Sequence, residues 1–276
     1  MSIASEITRI QDNISDAYTA AQAKGATMPA TQNSDNLATT ISTISGGGVD
    51  TTGWIPKAIN ANGKLINGSS TMPNFTGVKD LDTYVLYYGF YGANVLTGNL
   101  SFPDLTTISG SSAMNYAFYD CVRLTSVSLP ALTTISASNG MISVFQGCVG
   151  ITSVDLSALT TISGVNCMQT SFSGCKNLTS VSLPALTTIS SSNAMARCFQ
   201  NCQNLTSLSF SALKSDSFGT NTNQFNNMLS GVTGCTIHFP SNLDPQTGST
   251  VISSLSGYPN FGGTNTVLAF DLPATE

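Results

Sequence analysis

Four residue columns recur at one fixed step along this chain. Phe118, Phe145, Phe172 and Phe199 stand 27 residues apart. Cys121, Cys148, Cys175 and Cys202 keep that step, as do Met114, Met141, Met168 and Met195, and Ile108, Ile135, Ile162 and Ile189. A sustained period of this length marks a solenoid, in which no single copy buries its own apolar face. Stacking sets identical residues in ladders at the strand spacing of about 4.8 Å. Leu, Val, Phe, Met and Cys then merge into one core, and stability passes from neighbour to neighbour. Counting back one step places Tyr91 in the Phe column and Asn94 in the Cys column, as a looser earlier copy.

Each copy divides into three parts. Met114, Phe118 and Cys121 follow i, i+4, i+7, which predicts the inward face of a short helix. Asn139, Asn166 and Asn193 precede each Met by two residues, with Ser112 in the first copy, and read as N-caps. Val127 and Leu129 alternate with Ser126 and Ser128, the period of a strand with one buried face. Pro130 turns the chain, and Leu132-Thr133-Thr134-Ile135 follows as a second extended segment. The expected fold class is an α/β solenoid, with a short helix and a short parallel strand in every coil.

Composition narrows the function. Charged residues are 8% of the 276, against roughly 25% in an ordinary soluble domain. At 41% hydrophobic content the chain is not disordered, since disorder combines low hydrophobicity with high charge. Nine basic residues against fourteen acidic ones, with no basic cluster, give no footing for nucleic acid. No run approaches eighteen apolar residues, so no membrane span is expected. The single histidine, His238, alternates with Ile237 and Phe239 and points away from the core, with Asp244 its nearest acid in sequence. That spacing does not make a triad. Asp155, Asp80 and Asp82 read as surface acids, without the paired carboxylates of a glycosidase. No phosphate loop, dinucleotide fingerprint or zinc signature is present. No catalytic residue, metal ligand or cofactor is expected, and the chain is not expected to be an enzyme.

The seven cysteines are an odd number, so at least one has no intrachain partner. The four columnar ones read as small buried hydrophobes. Cys198 and Cys202 lack the further ligands of a zinc site, and Cys167 and Cys235, outside the column, read as free thiols.

The motif Phe118…Cys121…Leu124-Thr125-Ser126-Val127-Ser128-Leu129-Pro130, repeated as Phe172…Cys175…Leu178-Thr179-Ser180-Val181-Ser182-Leu183-Pro184, resembles the BspA-like (Treponema pallidum type) leucine-rich repeats. The resemblance covers roughly residues 75–240, and the period lies within the leucine-rich-repeat range of about 20–29 residues. It implies a curved solenoid used for adhesion or binding.

The ends differ from the middle. Ile3, Ile7, Ile10, Ile14, Ala17 and Ala21 form an a/d seam, and Ile at both positions favours three or more strands. A homotrimer is expected through that seam; an alternative packing uses the same face as a cap on the first repeat. Gly25 and Pro29 end this helix, a second short one starts near Asn33, and Gly46-Gly47-Gly48 reads as a hinge. Met1-Ser2-Ile3-Ala4-Ser5-Glu6 leads into this polar stretch with no apolar signal segment, which predicts synthesis in the cytoplasm. The stretch from Ile3 through Gly25 is similar to the opening segment of tailed-phage structural proteins. That resemblance implies a virion protein, exposed on the particle, with other virion proteins as partners of residues 1–48. The expected organisation is therefore an N-terminal helical oligomerisation and attachment segment over 1–48, a capping region over 49–90, the solenoid over 91–240 and a C-terminal cap over 241–276. Within the capping region, Phe75, Val78 and Leu81 stand one period before Phe102, Leu105 and Ile108 and read as a half-repeat. Cys235 to Phe239 reads as the last strand, and Tyr258, Phe261, Val267, Leu268 and Phe270 as the cap's apolar contacts.

Two surfaces stand out as contact candidates. Ser126, Ser153 and Ser180, with Asp155 beside them, line the strand face with groups that can hydrogen-bond sugars. Tyr84, Tyr88, Phe90, Tyr116 and Tyr119 crowd the first two helix segments, where later copies carry Ser, Gln and Gly. Tyr116 and Tyr119 are expected outward, contacting a ligand or subunit, or packing against the N-terminal cap. The expected role is a phage tail fibre or receptor-binding protein engaging a host cell-surface glycan or protein without catalysis. A head fibre or capsid-decorating protein is the alternative, and a bacterial BspA-like surface adhesin the third.

Overall fold

A computed structural model of the chain describes residues 75–81, 83–214, 217–218, 223–244 and 261–275. Of these, 75–78 fall in a compact unit separate from the one formed by 79–275. Phe75 and Val78 are buried. The expected 1–48 segment, with Ile3, Ile7, Ile10, Ile14, Ala17 and Ala21, lies outside the described residues, as does Tyr258.

The second unit is a parallel β-solenoid with a period of about 27 residues. Its strands are β1 (Asp80–Leu81), β2 (Gly98–Ser101), β3 (Thr107–Ile108), β4 (Leu124–Ser128), β5 (Thr134–Ile135), β6 (Ser153–Asp155), β7 (Thr161–Ile162), β8 (Ser180–Ser182), β9 (Thr188–Ile189), β10 (Ser207–Ser209), β11 (Thr236–Pro240) and β12 (Val267–Leu272). The two-residue strands stack as β1-β3-β5-β7-β9. Their register keeps the sequence period: Leu81 pairs with Ile108, Ile108 with Ile135, Ile135 with Ile162 and Ile162 with Ile189. The longer strands form β2-β4-β6 and β8-β10-β11-β12. There Val127 pairs with Val154 and Val181 with Leu208, while the serines between them face outward. Threonines tie the coils together from outside: the Thr133 and Thr160 hydroxyls donate to the Thr106 and Thr133 carbonyls at 3.0 Å.

The expected helix is absent. No α-helix occurs among the described residues, and the stretch from Gly110 to Cys121 is a ribbon of four-residue turns. Ala113, Asn115, Ala117, Tyr119 and Cys121 donate their N–H groups three residues back, at 2.9–3.3 Å. The residues between them donate to the next coil instead: Ser112 to Ser138, Met114 to Gly140, Tyr116 to Ile142, Phe118 to Val144 and Asp120 to Gln146, at 2.8–3.0 Å. An α-helix keeps its hydrogen bonds within itself. This ribbon sends half of them to a neighbour, so it exists only in a stack.

Each turn closes with a left-handed residue. Ser112, Tyr116 and Asp120 hold φ of 54°, 56° and 54°, and Asn139, Ser143 and Gly147 hold 57°, 51° and 78°. The inward residues Ala113, Met114, Ala117, Phe118 and Cys121 thus follow a period of four. Over two turns that is indistinguishable from a helical 3.6. Asn139, Asn166 and Asn193 are not N-caps but left-handed residues, a conformation that Asn adopts more readily than other side chains. Their amides form a ladder, Asn193 to Asn166 and Asn166 to Asn139, both at 3.2 Å.

Inside, the rings of Phe90, Phe118, Phe145, Phe172 and Phe199 stack at centroid distances of 5.1, 5.7, 5.3 and 5.8 Å. Phe90, and not Tyr91, continues the Phe column, and buried Ala93 takes the Cys place in front of exposed Asn94. The first ribbon starts one residue early: Phe90 lies nine positions after Leu81, where Phe118 lies ten after Ile108. The missing residue is restored at Gly98 (φ 90°), where the β2–β4 register slips. All seven cysteines are buried free thiols. The Cys121, Cys148, Cys175 and Cys202 thiols donate to the Phe90, Phe118, Phe145 and Phe172 carbonyls at 3.0–3.3 Å. The column therefore fills space and also satisfies a buried carbonyl in each coil. Burial pushes the Cys121 and Cys202 thiols up to about 12 and those of Cys148 and Cys175 well above their ordinary value.

At the other end β11 is not the last strand. β12 adds a further parallel rung, pairing Leu268 with Ile237, and Phe270 extends a second aromatic ladder through Phe239 to Phe210 at 5.9 and 5.7 Å.

Candidate functional site: a tyrosine cluster on the first two coils

The turn ribbon alternates inward and outward residues, so each coil places a set of side chains on its outer surface. In the first two coils six of these are tyrosines. Tyr88 stacks on Tyr116 at 4.8 Å with planes 20° apart, and Tyr91 stacks on Tyr119 at 4.7 Å and 2°. Across the ribbon Tyr88 lies 5.3 Å from Tyr91, and Tyr116 lies 5.8 Å from Tyr119. Tyr87 sets its ring edge-on to Tyr88 at 4.6 Å and to Tyr84 at 5.4 Å. The result is a two-by-two array of rings with a two-ring extension. Tyr84, Tyr87 and Tyr91 are 59%, 38% and 43% exposed, and Tyr88, Tyr116 and Tyr119 are half-buried.

The backbone gives no reason for tyrosine here. Tyr84, Tyr88 and Tyr116 hold φ of 58°, 54° and 56°. A bulky residue in this region is a conformational outlier, at about 1–3 kcal/mol each. The matching places in later coils are filled by Asn139, Asn166 and Asn193, and by Ser143, Thr170 and Arg197. The fold imposes this conformation in every coil, and tyrosine is accepted here at a cost that Asn or Ser would lower. Desolvation, then the neighbouring Tyr87, Tyr116 and Tyr91, raises the Tyr88 phenol. Desolvation, then the Asp120 carboxylate, raises that of Tyr119. Both stay protonated at neutral pH, as donors and acceptors. Asp120 is itself raised by desolvation, and its carboxylate leans over Gly147, where a Cβ would overlap it.

Of the sequence-predicted contact residues, Tyr84, Tyr88, Tyr116 and Tyr119 come together, with Tyr116 and Tyr119 outward as expected. Phe90 does not join them, because it is in the core. Tyr87 and Tyr91 were missed. The signal was a 28-residue step, shared by Tyr88 with Tyr116, Phe90 with Phe118 and Tyr91 with Tyr119. Ser126, Ser153, Ser180 and Asp155 lie on the strand column instead. There the Ser126 hydroxyl donates to Asn99 Oδ1 at 2.9 Å. Asp155 accepts from the Ser157 N–H at 3.1 Å, at the point where the strand column divides into two sheets.

Other chemistry is sparse. His238 Nδ1 meets both Asp271 carboxylate oxygens at 2.9 Å, so its partner comes from β12 and not from Asp244. The pair is on the surface, with side chains 27% and 55% exposed. Asp80 accepts from the Leu81 and Ser109 N–H groups and from the Ser109 hydroxyl at 2.6 Å, a structural role at the strand end. Among the described residues no group of three His, Cys, Asp or Glu is placed to hold a metal, and no helix is long and apolar enough to cross a membrane.

Residues 83–229 match the BspA type Leucine rich repeat region, in 6 copies. No curated protein and no solved structure gives a significant match to the chain.

Proposed function

The chain belongs to the BspA-type leucine-rich repeat family, and from that premise we propose that it is a phage virion protein whose solenoid is a non-enzymatic adhesion module, displayed as a tail fibre or receptor-binding protein against the host cell surface. The observation that carries the binding role is the tyrosine cluster. Six rings gather on one surface of a repeat scaffold, three of them at backbone positions that disfavour them. Tyrosine is enriched among residues that dominate binding energy. The virion setting rests on the similarity of residues 3–25 to tailed-phage structural proteins. In this reading residues 1–48 attach the chain to other virion proteins. The seam of Ile3, Ile7, Ile10, Ile14, Ala17 and Ala21 joins three copies, so that three weak contacts act together.

Fluorescently labelled full-length protein, incubated with a panel of bacteria, tests the role. Saturable binding to a narrow set of strains, weakened in Ile7→Asp/Ile14→Asp, is expected. Absence of binding to every strain would overturn the receptor-binding role, and a monomer by light scattering at high concentration would overturn the trimer.

A further inference from the structure

The tyrosine cluster also indicates what kind of ligand it takes, an inference that rests on the surface-binding reading above. We infer that the cluster is a platform for neutral carbohydrate: the C–H faces of sugar rings pack on the tyrosines, and sugar hydroxyls bond the phenolic oxygens.

Charge, chemistry and size point the same way. From Thr83 to Cys121 the chain carries no Lys or Arg, and its ionisable acids are Asp104 and Asp120. The nearest cations in sequence, Lys79 and Arg123, lie outside the segment that carries the six rings. A patch built of neutral rings beside the Asp120 carboxylate disfavours phosphorylated, sulfated or uronic ligands. Each ring presents an apolar surface with one hydroxyl at its tip, which matches the mixed character of a sugar better than that of a lipid. The rings already stack on one another, so little side-chain entropy remains to be lost on binding. The patch is also small. At about 200 Å² per aromatic side chain, the exposed fractions of Tyr84, Tyr87 and Tyr91 amount to roughly 300 Å², and the half-buried Tyr88, Tyr116 and Tyr119 add at most about 200 Å² more. A standard protein interface buries about 800 Å² on each partner. Of the remaining exposed large hydrophobics among the described residues, Val165 and Val267 belong to later coils, and Val122, three residues after Tyr119, adds a single small side chain.

The test uses the full-length labelled protein and a strain it binds. Cells are treated with periodate, which cleaves the vicinal diols of sugars, or with protease. Binding is expected to fall with periodate, to survive protease and to be insensitive to added salt. Polysaccharide extracted from the same cells should compete. Tyr84→Ala/Tyr91→Ala should weaken binding by about tenfold or more with an unchanged thermal midpoint. Tyr84→Phe/Tyr91→Phe, which keeps the ring surface and loses the hydroxyls, should fall between the two. Binding that survives periodate and falls with protease would overturn the carbohydrate assignment in favour of a protein partner and leave the surface-binding role standing. Binding unaffected by the alanine pair would move the site away from the tyrosines, and a wild type that binds no strain would remove both readings.

Discussion

The turn ribbon of the first two coils and that of the three coils after them share one backbone and differ in almost everything they show to solvent. Both bond alternately within the coil and to the next coil, and both place a left-handed residue at every fourth position. In the later coils those positions and their neighbours are mostly Asn, Ser, Thr, Gly and Gln, with Arg197 in the fifth coil; in the first two they are dominated by tyrosine. The inward residues barely change: Phe90, Phe118, Phe145, Phe172 and Phe199 are all buried. Inward columns and left-handed turns specify the coil, and the outward columns are free to carry a function. Because the scaffold tolerates Asn or Gln there, tyrosine is a choice the fold does not require.

The largest break in that comparison would come from the shared part. Phe145→Ala removes a ring stacked on both sides and should cost about 3–5 kcal/mol, read as a lowered midpoint in urea. An outward substitution in the same coil should cost a small fraction of this.

Gly147→Ala probes the ribbon itself. Gly147 holds φ 78°, and a Cβ there would overlap the Asp120 carboxylate, so a loss of about 1–3 kcal/mol is expected. Introduced into Asp120→Ala the same change should cost less, and a double-mutant cycle gives the difference. Equal costs in both backgrounds would show that the carboxylate does not lie over the glycine.

The buried thiols add a pH dependence confined to the core. Their folded-state values are raised above the ordinary 9.0, to about 12 for Cys121 and Cys202. Stability from keeping them protonated is therefore fully present below pH 9.0 and is lost as pH rises from there toward about 12. Urea midpoints should fall over that window, and native protein should react with a thiol reagent at pH 8 only as it unfolds. Fast labelling of several thiols would contradict the buried column.

The strand column should be nearly silent. Ser153→Ala and Ser180→Ala remove exposed hydroxyls and should change stability by less than about 0.5 kcal/mol, with cell binding unchanged. Lost binding would place the contact on this face instead.

What the sequence made legible follows from which columns repeat strictly. The period, the parallel registers of Ile108, Ile135 and Ile162, the outward serines and the burial of Cys121 and Phe118 all follow from counting by 27. The ribbon did not, for two physical reasons. A four-residue turn and a helical turn place the same residues inward over so short a stretch. Asn also suits both a helix N-cap and a left-handed turn, so Asn139 supported the wrong element. The Tyr91 assignment failed because the first ribbon starts one residue early and the step is restored by an extra residue at Gly98, leaving the strands in step while the tyrosines shift. Tyr84, Tyr88, Tyr116 and Tyr119 were identifiable by their contrast with later copies; the stacking that joins Tyr87 and Tyr91 to them needed the corrected register.

The most direct measurement transplants later-coil residues into the first coil. Tyr84→Asn/Tyr91→Gln places there the side chains found at Asn139 and Gln146. Bacterial binding by the labelled full-length variant is compared with wild type, alongside its thermal midpoint. Binding should collapse while stability stays level or rises by about 1 kcal/mol, as a strained tyrosine gives way to a residue suited to the turn. Undiminished binding by a variant that melts like the wild type would contradict the assignment of function to the tyrosine cluster.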